Sequence, residues 1–182
     1  MPIYISMLRG INVAGHKRIK MDTLRASFEA LGFEQVRTYI QSGNVVFKGG
    51  KLSTLNLSRR IEERILSDFG FPVSVISRSS DEMAKTIECN PFSKGRELDR
   101  EKLHVMFLSD APTPAALKKL AGLTAAPDQC RLSDREIYFY LPNGVSQSVL
   151  MKSPVDRILG VVTTTRNWKT VNSLHQMCQD CR

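Results

Sequence analysis

Apolar and β-branched residues run without a breaker over residues 3–9 and predict a strand. A loop with two glycines, residues 10–20, follows. Leu24, Phe28 and Leu31 then recur at i, i+4 and i+7, which predicts a helix over 21–31 with Gly32 as its left-handed terminator. Two short runs, 35–41 and 44–48, flank Ser42-Gly43 and predict strands joined in a tight hairpin. Leu57, Ile61, Ile65 and Phe69 share one stripe, so 55–69 should be helical and Gly70 should close it. Residues 73–77 predict one more strand. The order is βαββαβ, that of a ferredoxin-like unit.

The second half repeats this order. Ser79 and Glu82 form a capping-box pattern that opens a short helix, and Pro91 prevents its continuation. Residues 92–102 are polar and form the candidate linker. A strand over 103–108 precedes a helix that Thr113-Pro114 opens and that runs through Leu117 and Leu120. Residues 128–132 and 136–141 predict a hairpin around Ser133-Asp134-Arg135. Ser153-Pro154 opens another helix, Gly160 ends it, and the β-branched residues 161–165 make a last strand. A final helix over 167–178 carries Val171, Leu174 and Cys178 on one stripe. The expected fold is α/β of the α+β type: two tandem ferredoxin-like βαββαβ units plus a C-terminal helix. The expected segments are a first unit at 1–78, a helix and linker at 79–102, and a second unit with the last helix at 103–182.

Composition narrows the class. A chain of 182 residues holds one domain or two of about 90 residues. Its 42% apolar content supports a packed core, and its 24% charged content excludes wholesale disorder. No apolar run approaches the roughly 20 residues that span a bilayer. The opening Met-Pro-Ile-Tyr-Ile-Ser-Met-Leu-Arg lacks the basic and apolar regions of a secretory signal. Cys89, Cys130, Cys178 and Cys181 are too few and too unevenly placed for a disulfide framework. The expectation is a basic cytoplasmic protein without a membrane partner; the pattern leaves its oligomeric state open.

The net charge of +8 bears on partners rather than fold. Residues 1–90 and 91–182 each carry 13 basic and nine acidic side chains, so there is no basic tail. The excess is local instead. No acid occurs over 1–21, which holds Arg9, Lys17, Arg18 and Lys20. None occurs over 157–179, with Arg157, Arg166 and Lys169, or over 35–61, with Arg37, Lys48, Lys51, Arg59 and Arg60. These are either solvated basic faces or, where two of them meet in the fold, an anion site.

Several motifs resemble a known family. Leu8-Arg9-Gly10-Ile11-Asn12-Val13-Ala14-Gly15, Arg18-Ile19-Lys20-Met21 and Thr38-Tyr39-Ile40-Gln41-Ser42-Gly43-Asn44-Val45-Val46-Phe47 resemble the signature of the bacterial domain of unknown function 1697. Asn90-Pro91-Phe92, Tyr140-Leu141-Pro142-Asn143-Gly144 and Thr164-Thr165-Arg166-Asn167-Trp168-Lys169-Thr170-Val171 are similar to its later motifs. The resemblance implies a compact α/β protein with ferredoxin-like halves and implies no reaction and no cofactor. Ala14 stands where the family usually has Gly, and His16-Lys17 where Lys-Asn is usual. After Gly144 the family tends to Ile-Gly-Arg-Ser-Lys, whereas Val145-Ser146-Gln147-Ser148-Val149 carries neither cation.

The leading candidate site is the loop 10–20 with the start of the last helix. A glycine-containing loop between strand and helix can offer backbone N–H groups to an anion, and nearby cations add attraction. The candidate ligand-binding residues are Arg9, Gly10, Asn12, Gly15, His16, Lys17, Arg18 and Lys20, joined by Arg166, Asn167, Trp168 and Lys169. The spacing is not that of a Walker loop, and Gly10 and Gly15 serve equally well as turn residues. Arg166 and Lys169 are placed at the start of the last helix, where the macrodipole disfavours cations unless an anion joins them. Trp168 suits either ring stacking or packing.

The leading function is therefore the binding of a small, phosphorylated anion. An alternative is RNA binding, with Tyr138 and Tyr140 on one strand face and Tyr4 on the first sheet stacking bases, although 44–48 lacks the aromatic pattern this requires. A third is an enzyme of unknown reaction with His16 as its acid or base. No catalytic set follows from spacing. His175 with Cys178 and Cys181 offers three metal-compatible groups but no evident fourth, and no metal site is assigned. His104 reads as a hydrogen-bonded core residue, and Glu62-Glu63 as surface partners of Arg59 and Arg60.

Overall fold

The computed structural model describes residues 1–92 and 98–181. Its elements are β1 (Ile3–Leu8), α1 (Met21–Glu29), β2 (Glu34–Tyr39), β3 (Asn44–Lys48), α2 (Thr54–Phe69), β4 (Val75–Ser79) and α3 (Ser80–Glu88), followed by β5 (Leu103–Leu108), α4 (Pro114–Leu123), β6 (Gln129–Ser133), β7 (Glu136–Tyr140), α5 (Val149–Lys152), α6 (Val155–Leu159), β8 (Thr163–Asn167) and α7 (Trp168–Gln179). The strands form two four-stranded antiparallel sheets, ordered β2-β3-β1-β4 and β6-β7-β5-β8. Each sheet places its first and third strands in the middle. The protein is thus α/β, with two tandem ferredoxin-like units and a C-terminal helix.

One compact unit comprises Met1–Lys85 with Ser173–Arg182, and the other comprises Thr86–Asn172. The division cuts α3 and α7 rather than the 92–102 segment, of which 93–97 lie outside the described residues. In the first unit, Tyr4, Leu8, Val45 and Phe47 of the sheet pack with Leu24 and Phe28 of α1 and Leu57, Ile61 and Ile65 of α2. Phe28 meets Phe47 edge-on at 5.2 Å, and Phe33 lies 4.5 Å from Phe47. The second core joins Met106, Leu108, Ile137 and Phe139 to Leu120, Leu150, Val155 and Leu159.

The helix boundaries follow local chemistry. The Ser53 side chain accepts from the Asn56 N–H at the start of α2, and Gly70 ends the helix in the left-handed conformation. The capping box ahead of α3 closes in both directions: the Ser79 N–H donates to Glu82 Oε2 at 2.7 Å, and the Glu82 N–H donates to Ser79 Oγ at 3.1 Å. Thr113 Oγ1 accepts from the Ala116 N–H, with Pro114 in the first turn of α4.

Three expectations need correction. β4 and β8 each begin two residues later than the β-branched composition suggests, because the partner strand sets where a ladder begins. β1 and β4 pair from Leu8↔Val75, and β5 and β8 from Leu108↔Thr163. The β2–β3 connection has four residues, 40–43, since Tyr39 pairs with Asn44 and the Asn44 amide closes the turn on the Tyr39 carbonyl and Ser42 Oγ. Arg166 belongs to β8, opposite Val105, rather than to the start of the last helix. The four-residue helix α5 is an addition, capped by Ser148 accepting from the Met151 N–H.

Candidate functional site

The loop after β1 is held in conformations that L-residues seldom adopt: φ is +56° at Asn12, +49° at Ala14 and +46° at Lys17. Asn12 stabilises this shape from within. Its N–H donates to the Lys17 carbonyl, its Nδ2 donates to the carbonyls of Ile19 (2.9 Å) and Gln41 (2.8 Å), and its Oδ1 accepts from the Ile19 N–H (2.9 Å). The amide that resembles a ligand donor is therefore bonded inside the protein, tying the loop to the β2–β3 turn. Ile11 and Ile19 are buried at either end of the loop.

A cleft of about 560 Å³ opens beside this loop, within the first unit. Arg9, Gly10 and Lys17 line it together with Arg59, Glu62, Glu63 and Leu66 of α2 and residues 72–74. The α2 residues fall at i, i+3, i+4 and i+7, which puts them on one face beside the buried stripe of Leu57, Ile61 and Ile65. The Arg9 N–H donates to the Ser74 carbonyl at 2.9 Å, and Lys17 Nζ donates to the Pro72 carbonyl at 2.7 Å. Glu62 Oε1 accepts from the Val75 N–H at 2.7 Å and so fixes the start of β4. Cations from the acid-free stretches 1–21 and 35–61 meet here.

The cleft brings together Arg9, Gly10 and Lys17 of the expected set; Asn12, Gly15, His16, Arg18 and Lys20 are not in its lining. His16, Arg18 and Lys20 are exposed. In the second unit, the half-buried Arg166 donates through Nη1 to Thr164 Oγ1 and to the Thr165 carbonyl, both at 2.9 Å. Burial pulls its guanidinium down to about 10, which leaves it protonated at neutral pH. The exposed Asn167 accepts from the Thr170 N–H at 2.8 Å and caps α7. Trp168 is 7% exposed and packed, and Lys169 alone of the two cations occupies the first turn of α7.

Arg59 and Glu63 were hidden in the sequence as halves of expected surface pairs. Arg60 instead donates to the Leu31 carbonyl and covers the Phe33 ring at 5.6 Å, while Glu62 turns to the backbone of β4. The stripe at 59, 62, 63 and 66 was the available signal.

The remaining candidates are packed. Tyr138 is 1% exposed, and its hydroxyl donates to the Thr86 carbonyl at 2.8 Å; burial, then the charges of Glu136 and Cys89, raise its pKa. Tyr140 is half-buried beside Phe92, and the buried Tyr4 bonds the Leu52 backbone. His104 is half-buried, with Nδ1 3.3 Å from the Lys102 carbonyl. Cys178 and Cys181 are buried and not disulfide-bonded, and His175 meets Gln179 at 3.0 Å. Among the described residues no three His, Cys, Asp or Glu side chains gather around one metal position, and no helix is long and apolar enough to cross a membrane.

Fold and cleft together define a tandem ferredoxin-like α/β protein with a mixed-charge pocket in its first unit. The chain belongs to the DUF1697 family of proteins of unknown function, whose profile matches residues 1–138 and so includes every cleft residue. It is also similar to a solved structure, the conserved bacterial protein SP0830 from Streptococcus pneumoniae, over 97% of this chain and 98% of that one. The TM-score is 0.79 at 24% identity, a likeness of fold. No curated protein matches the chain.

Proposed function

We propose that the first unit binds a small phosphorylated anion in the cleft between the loop 10–20 and α2. The observation that carries this reading is the convergence of Arg9, Lys17 and Arg59 on one concave site. The Lys17 ammonium meets a neutral carbonyl there, and the Arg59 guanidinium has no hydrogen-bond or ionic partner among the described residues. Guanidinium groups match phosphate oxygens in bidentate fashion, and charge-assisted bonds of this kind are stronger than neutral ones. The packed tyrosines offer RNA no comparable platform.

The test is a thermal-shift titration of the whole chain with sugar phosphates, nucleotides and short RNA and DNA oligomers at low and high salt. A ligand at 100 times its Kd stabilises by about 2.7 kcal/mol. The expected outcome is a salt-tolerant shift from a phosphorylated small molecule, with Arg59→Ala and Lys17→Ala each weakening binding about tenfold. A shift from oligomers alone that vanishes at high salt overturns the reading in favour of a nucleic acid.

A further inference from the structure

The cleft is not uniformly basic. Along α2 its lining passes from Arg59 to Glu62 and Glu63 and then to Leu66. Arg59 and Glu63 are about 6 Å apart along the helix axis. Glu62 is committed to the Val75 N–H. Glu63 is exposed and, like Arg59, has no partner among the described residues. Opposite charges at i and i+4 ordinarily pair across a helix surface. Here both line the cleft without meeting each other.

A bare phosphate drawn to Arg9, Lys17 and Arg59 would face the Glu63 carboxylate across one helical turn, a like-charge contact that opposes binding. An anion carrying its own hydrogen-bond donor removes the conflict, because the donor satisfies the carboxylate. Building on the anion-binding reading, we infer that the ligand is a phosphomonoester with an amine or hydroxyl group within about one helical turn of its phosphate. Arg9, Lys17 and Arg59 hold the phosphate, Glu63 accepts from the donor group, and Leu66 borders the short carbon chain between them.

Three monoesters of similar size separate the possibilities: ethyl phosphate, which has no second donor, glycerol 3-phosphate and phosphoethanolamine. Calorimetric titration of the whole chain should show glycerol 3-phosphate, phosphoethanolamine or both binding about tenfold tighter than ethyl phosphate. Whichever is preferred names the donor. Glu63→Gln should erase a preference for the ammonium and Glu63→Ala a preference for the hydroxyls, while ethyl phosphate binds each variant at least as tightly as the parent. Glu63 is exposed, so unchanged circular dichroism is expected for both variants. Equal binding of all three esters, or a preference that survives these substitutions, overturns the inference and leaves anion binding standing. Binding of none of the three overturns the inference while other phosphorylated compounds still shift the melting temperature; if those fail too, both readings fall.

Discussion

Asn12 satisfies three backbone groups with one amide and joins the first loop to a turn 29 residues away. Asn12→Ala leaves those groups to water or to nothing and removes a residue type that tolerates its φ of +56°. A loss of about 2–3 kcal/mol is expected, read as a lower urea midpoint at unchanged m-value. Ile40 is the opposite case. It is β-branched, 51% exposed and held at φ +49°, so an apolar side chain is left half in water on a left-handed backbone that a branched residue resists. Ile40→Asn should therefore raise stability by about 0.5–1 kcal/mol in the same assay. Neither role was legible in the sequence. An asparagine between glycines looks the same whether it faces a ligand or a distant carbonyl, and Ile40 continued an extended run. Only the tertiary approach of the two loops decides both.

At the scale of elements, α2 carries the most meaning. Its apolar stripe was readable from spacing, because burial leaves a periodic mark. The adjacent stripe that lines the cleft carried no such mark, since charged residues on a helix ordinarily face water. Three serines fix the helix against the sheet: Ser58 Oγ accepts from the Ser77 N–H at 3.0 Å, and Ser77 Oγ shares a 2.7 Å hydrogen bond with Ser6 Oγ. Strand starts were misplaced by composition because a ladder begins where its neighbour allows, as at Leu8↔Val75 and Leu108↔Thr163. The β2–β3 turn gives a direct test of close packing. A Cβ on Gly43 would lie 2.7 Å from Ile11 Cδ1 and from Leu8 Cβ, at a φ of +75°. Gly43→Ala should cost about 2–4 kcal/mol, measured by thermal or urea unfolding.

For the whole molecule, charge and protonation set the conditions of stability. A net charge of +8 repels itself, so moderate salt should raise the melting temperature of the unliganded protein. Burial lowers the pKa of His104 from 6.5, so the folded state keeps its imidazole neutral where the unfolded chain already takes up a proton. The stabilisation is whole above 6.5 and is lost as pH falls from there through the folded value. His104→Gln should flatten that part of the stability curve, and an unchanged slope would assign the loss to other groups. The fold class itself was open to reading, because caps, terminators and periodicity all agreed over both halves.

The first unit takes its last ten residues, Ser173–Arg182, from the stretch of chain that follows the second in sequence. On the ribosome this is a matter of timing. After Lys85 is joined, the 87 residues of Thr86–Asn172 must be translated before Leu174 and Cys178, both buried in the finished protein, exist at all. At about 5–20 residues per second, that is roughly 4–17 s during which the nascent first unit waits without its closing segment.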